Sequence, residues 1–285
     1  MPTILKIAPF LLVALFVAGC DGVQRPSSSA VLENAYERVM RTGELRCGYF
    51  SWNPALIKDP NTGVLSGTFY EYMEELGRAL QLKIVWAQEI GLGDYPPALN
   101  AGRIDAMCGG IFATSARARA VDFITPAYYV PLHAYARIDD DRFQGFNVDK
   151  FNDVAYKVAI LEGGVTSIIR ALQLPKTQVY ELPQTTSPSE LFMSLAQGKA
   201  DFVLFDLFTF EDYSAHNPGK LKRVSDTPIK VFPLAAAVGK NQDALREMLS
   251  TATMDLHLAG TIDKILTRYE KYPDTLIRIQ MPYQQ

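Results

Sequence analysis

Leu99-Asn100-Ala101-Gly102-Arg103-Ile104-Asp105 and Leu195-Ala196-Gln197-Gly198-Lys199-Ala200-Asp201 share one pattern: a leucine, a glycine three places on, a basic residue beside it, and an aspartate two places later. Each reads as a helix stopped by a C-cap glycine, then a tight turn into a strand headed by aspartate. Before the first copy, residues 45–50 form a short apolar run after Gly43. Phe69, Tyr72, Met73, Leu76 and Leu80 recur at helical spacing, residues 83–87 are rich in strand formers, and 96–101 make a short helix. Residues 104–108 complete the unit as a buried strand. Before the second copy come a strand at 156–161, a helix at 166–172 and a strand at 177–181. A helix then opens with the capping box Ser187-Pro188-Ser189-Glu190, and a strand follows at 200–205. The order β-α-β-α-β is thus written twice, which predicts an α/β fold with parallel strands under helices.

The 285 residues are 48% hydrophobic and 21% charged, enough to bury a core and too apolar for intrinsic disorder. The 28 basic and 31 acidic residues are interspersed, so no positive field exists to attract a phosphate backbone and nucleic acid is excluded as a partner. Three cysteines and three histidines are scattered without metal-ligand spacing, and Gly91-Leu92-Gly93 lacks the third glycine of a nucleotide loop. Neither a metal nor a cofactor is expected.

Residues 7–17 are an apolar run behind Lys6, shorter than the ~20 residues a spanning helix needs. Val17-Ala18-Gly19-Cys20 follows, which resembles the lipobox of bacterial lipoproteins. That resemblance implies a signal peptide at 1–19, a lipidated Cys20 as the new first residue, and a tether over 20–30, where Pro26 and three serines offer nothing to pack. Asp21 resembles the inner-membrane retention signal of some lipoproteins. The expected location is the periplasm, anchored to the cell membrane.

Past the second unit, residues 234–238 read as a strand, 242–258 as a helix ended by Gly260, and a last helix starts at Thr261. They have no counterpart in the second copy, so they belong with the first. The expected organisation is one lobe of 31–129 plus 232–285 and a second of 130–231, with the chain crossing near Tyr129 and Phe232.

The segment Thr114-Ser115-Ala116-Arg117-Ala118-Arg119-Ala120-Val121-Asp122-Phe123, with Pro126 and Tyr128, resembles the T-x-x-R, D-F, P-Y stretch of the type-II periplasmic binding proteins of amino-acid ABC importers, family 3. The resemblance covers nearly the whole chain after the tether. It implies two α/β lobes joined by two crossover hinge segments, a monomer that closes on a small-molecule ligand, and delivery to an ABC permease. It places the ligand carboxylate on Arg117, with Thr114 capping a helix that starts there, and the ligand ammonium on Asp206. A planar guanidinium suits a carboxylate because it offers two parallel donors. Asp206, following an apolar strand, could equally cap the next helix. Asp105 and Asp201, at strand starts, read as structural, and Arg119 as solvated.

Gly110, Phe112, Trp52, Leu92, Val165 and Thr166 complete the expected ligand shell. Two positions depart from the family pattern: Phe112 stands where a small or hydroxylated residue is usual, and Gly163-Gly164-Val165 brings its hydroxyl one place late, at Thr166. Tyr49, Phe50, Leu92 and Phe112 outnumber polar groups, and no further acid is expected at the side-chain pocket, so the ligand is expected to be a neutral amino acid or related carboxylate. Two other functions occur on this fold: an accessory binding protein of a quinoprotein dehydrogenase system, and a cyclohexadienyl or arogenate dehydratase. The second needs an acid on the strand returning to lobe one, which Phe232-Pro233-Leu234-Ala235-Ala236-Ala237-Val238 lacks. Cys47 and Cys108 fall in neighbouring strands, as a disulfide or as two buried thiols.

Overall fold

The computed structural model describes residues 33–224 and 227–280. The lipobox, Cys20 and the tether lie outside them. Helix α1 (Ala35–Thr42) leads into β1 (Glu44–Tyr49), a two-strand ribbon of β2 (Ile57–Lys58) and β3 (Leu65–Ser66), α2 (Thr68–Leu80), β4 (Lys83–Glu89), α3 (Tyr95–Asn100) and β5 (Ala106–Phe112). Short β6 (Val121–Phe123) and long β7 (Tyr128–Arg137) follow. The second unit is β8 (Lys157–Leu161), α4 (Val165–Gln173), β9 (Gln178–Leu182), α5 (Ser189–Ala196) and β10 (Phe202–Asp206), continued by α6 (Leu207–His216) and β11 (Leu221–Arg223). β12 (Lys230–Gly239), α7 (Asp243–Leu258) and α8 (Thr261–Tyr269) close the chain.

The duplication is physical. Both β4-β1-β5 and β9-β8-β10 are parallel trios with the first strand of the unit in the centre. The signature aspartates explain why both units need that residue. The Asp105 amide donates to Arg46 O at 2.8 Å while its Oδ2 accepts from Arg46 N at 2.7 Å. Asp201 repeats this on Lys157, at 2.7 and 2.9 Å. Each aspartate therefore extends the parallel pairing one residue before the strand starts, and arginines answer its charge: Arg38 and Arg46 at Asp105, Arg142 at Asp201. Gly102 and Gly198 sit at φ 66 and 74, the left-handed region glycine occupies without a Cβ penalty.

Two long antiparallel strands join the trios into one sheet of order β4-β1-β5-β12-β7-β10-β8-β9, with β6 on β12 and β11 on β7. Each changes partner at its midpoint. β7 pairs β12 from Tyr128 to Leu132 and β10 from Leu132 to Ala136, while β12 pairs β7 up to Leu234 and β5 from Leu234 onward. The segments read from sequence as crossovers lie beside each other here, Val130 opposite Phe232. The α2 face of Phe69, Tyr72, Met73 and Leu76 is buried as its spacing predicts. α7 and α8 pack on that helix, with Tyr72 Oη bonded to Thr253 Oγ1 and Tyr269 Oη donating to Glu71 at 2.7 Å.

Two local expectations are corrected and one open alternative is resolved. The capping box at Ser187 does not form: α5 starts at Ser189, so the N-cap position falls on Pro188, which has no side-chain acceptor. The helix expected from Thr114 is a single 3-10 turn, Arg117–Arg119, too short to offer an array of free amides. Cys47 and Cys108 are a disulfide with Cα atoms 5.4 Å apart, a spacing that the diagonal register of β1 and β5 provides.

Candidate functional site

The carboxyl ends of both trios face one another across a cleft of about 430 Å³, within the ~300–1,000 Å³ typical of small-molecule sites. This is where open α/β sheets place ligands, since the strand ends leave loops free to diverge. On one side stand Phe50, Ser51 and Trp52 after β1, Ile90, Gly91 and Leu92 after β4, and Gly110, Ile111 and Phe112 ending β5. On the other are Leu161 ending β8, Gly164 and Val165 opening α4, residues 184–188 after β9, and Phe205 near the end of β10.

Arg117 is the only cation among the described residues that line the cleft. Its backbone N donates to Thr114 Oγ1 at 3.2 Å, which fixes the turn. Its guanidinium donates to Phe112 O at 3.0 Å and, across the cleft, to Gly163 O at 2.9 Å. The residue is 9% exposed, and no carboxylate among the described residues pairs with it. Burial pulls its pKa below the ordinary arginine value, offset in part by Tyr95; guanidinium basicity leaves it charged all the same. The cleft thus holds a buried positive charge whose partners are neutral carbonyls, and an anion is what such a group lacks.

The walls are aromatic. Trp52 packs on Phe112 at 5.1 Å between centroids, on Phe50 at 6.3 Å with the planes 6° apart, and on Phe205 at 6.3 Å. Phe112, placed where a small residue was expected, gives its ring to this cluster and to Phe232 at 5.5 Å. Gly110 at φ 82 admits no side chain, since a Cβ there would lie 2.8 Å from the Phe69 ring. Gly163 at φ 69 allows the loop after β8 to approach the Leu92-Gly93 backbone, which a Cβ would meet at 2.9 Å.

Of the residues expected from sequence, Arg117, Phe112, Gly110, Trp52, Leu92 and Val165 come together in this cleft; three do not. Asp206 is 1% exposed and caps α6, its carboxylate accepting from Thr209 N at 2.8 Å and Thr209 Oγ1 at 2.7 Å. Burial nevertheless raises its pKa to about 6. Thr166 turns inward and donates to Leu204 O, and Thr114 is spent on the turn. Tyr49 packs on Trp86, outside the cleft. Glu89 does line the cleft, contrary to the expectation of no further acid, but its carboxylate is paired with Lys58 Nζ at 2.6 Å. Sequence reading also missed residues 184–188. The repeat carried that signal: Leu92 follows the second strand of the first unit, and Gln184 follows the second strand of the other.

The model of the bacterial extracellular solute-binding proteins, family 3, matches residues 45–272, and the chain belongs to this family. It is 26% identical over 216 residues, 74% of its own length and 81% of the relative's, to the amino-acid-binding protein AabA of Dichelobacter nodosus. Among solved structures it resembles the cysteine-binding protein of Campylobacter jejuni (TM-score 0.73, 17% identity, 87% of this chain and 100% of that one). It also resembles an ancestral amino acid-binding protein described as a precursor of cyclohexadienyl dehydratase (TM-score 0.70, 22% identity, 84% and 100%). An ancestral arginine-binding protein bound to arginine superposes with a TM-score of 0.67 at 25% identity, over 80% and 98%. The fold is that of the type-II amino-acid-binding periplasmic proteins. No helix among the described residues is long and apolar enough to cross a membrane.

Proposed function

We propose that the protein captures a small carboxylate-bearing solute, an amino acid or a related acid, between two lobes and presents it to a membrane permease. The observation that carries this reading is Arg117: a buried cation without a carboxylate, at the strand ends, in an apolar cleft. The lobes are residues 31–129 with 232–285, and 130–231, hinged where β7 and β12 exchange partners. Contacts across the cleft support closure as the capture step. Gln184 accepts from Gly93 N at 2.8 Å and donates to Asp94 at 2.7 Å, while Arg117 reaches Gly163 O. A ligand carboxylate would replace the two neutral acceptors of Arg117 with one charged, bidentate acceptor.

The names of the relatives favour an amino-acid-like solute. The pairing of Glu89 with Lys58 leaves no free acid for a basic side chain, which favours a neutral tail. Binding without catalysis is supported by β12, whose central residues are apolar and offer no proton donor. Membrane attachment through Cys20 is part of the proposal, and the Cys47–Cys108 disulfide suits an oxidising compartment. The second reading is an accessory binding protein of a quinoprotein dehydrogenase system, which failure of every free small acid to bind would favour.

A thermal-shift panel of amino acids and small carboxylic acids tests the proposal. A true ligand at 100 times its Kd should add about 2.7 kcal/mol of stability. Arg117→Ala should lose that shift, and a full shift in the variant would remove Arg117 from the site.

A further inference from the structure

We infer that the solute carries a carboxylate and no ammonium group: an apolar 2-oxo acid or similar monocarboxylate in place of an α-amino acid. This rests on Arg117 receiving the carboxylate. An ammonium enclosed beside the Arg117 charge is strongly disfavoured without a carboxylate facing it, because a second buried, unpaired cation costs several kcal/mol. Asp206 cannot supply one. It does not line the cleft, Thr209 occupies its carboxylate through both N and Oγ1, and Trp52 and Phe205 face the solute in its place. Trp52 also seals the path, its Nε1 lying 3.3 Å from Thr209 Oγ1.

Glu89 is the one acid among the described lining residues, and Lys58 cancels its charge. The lining with its immediate ion pair therefore carries a net charge of one positive, from Arg117. A monoanion neutralises it; a zwitterion leaves it standing. The end of β5 gives no alternative acceptor side chain either, since Gly110 and Phe112 present a bare backbone and a ring. The neutral polar residues that line the cleft, Ser51, Thr185, Thr186 and Ser187, can donate to an oxo or hydroxyl oxygen without adding charge.

Matched pairs differing only at the α position test this in the wild-type protein by calorimetric titration: 4-methyl-2-oxopentanoate against leucine, and phenylpyruvate against phenylalanine. The expected result is that the oxo acid binds at least ten-fold more tightly in one pair or both. An amino acid binding as tightly as its oxo partner would overturn the inference and leave the carboxylate role of Arg117 intact. Absence of binding by all four at millimolar concentration would overturn both. Asp206→Asn, which keeps the acceptor for Thr209, should leave the oxo-acid Kd within two-fold; a ten-fold loss would return Asp206 to the site.

Discussion

At the scale of single residues, two charges of opposite sign are buried in different ways. Arg117 donates to two neutral backbone carbonyls and pairs with no carboxylate among the described residues, whereas Asp206 is satisfied by the first turn of α6. Arg117→Lys keeps the charge and loses the parallel donors, so its Kd for the best acid should rise at least ten-fold, as read by calorimetry. Asp206 yields a pH prediction. Its pKa rises from an ordinary 3.8 to about 6 in the fold, chiefly through desolvation, so between those values the folded state holds more protons than the unfolded one. Stability therefore falls as pH rises from about 4 to 6 and is flat above, a loss of at most about 3 kcal/mol from this group. Denaturation of Asp206→Asn across that range should lack the decline, with a Tm at pH 7 no lower than wild type; an unchanged pH profile would contradict the assignment. Residue type alone could not tell an ammonium partner from a helix cap, because both place a carboxylate directly after a strand. Only burial and the position of Thr209 decide it.

At the scale of elements, the strands and helices with one apolar face were legible because a repeated core imposes repeated spacing. α2 and the parallel trios follow this rule. α6 did not, since Leu207, Phe208, Thr209 and Phe210 are all buried in succession and leave no helical period to read. β7 was seen only as a crossover, because Val130 to Ala136 are buried in succession and leave no alternation to read. The disulfide joins β1 to β5 across 61 residues of chain. Replacing both cysteines by alanine should cost about 2–4 kcal/mol in urea denaturation, mainly by freeing the unfolded chain. Gln184→Ala removes two cross-cleft bonds at an exposed loop, so ligand affinity should fall several-fold with little change in the Tm of the ligand-free protein.

At the scale of the molecule, the duplication makes the site. Two copies of one unit point their strand ends at each other, and partner exchange at Leu132 and Leu234 makes two adjacent strands, β7 and β12, the connection between the halves. Residues 184–188 were not read as lining even though the copies were recognised as equivalent, because the correspondence was drawn for the strands and the signature turns and not for the loops after β4 and β9. The central claim is that a solute carboxylate, enclosed between the halves, is held by Arg117. Calorimetric titration of the best-binding acid and of its methyl ester, into wild type and into Arg117→Ala, measures this directly. The account predicts that wild type prefers the acid by at least 100-fold, about 2.7 kcal/mol, and that the variant shows no preference. An ester that binds wild type as well as the acid does, or a preference that survives in Arg117→Ala, would contradict it.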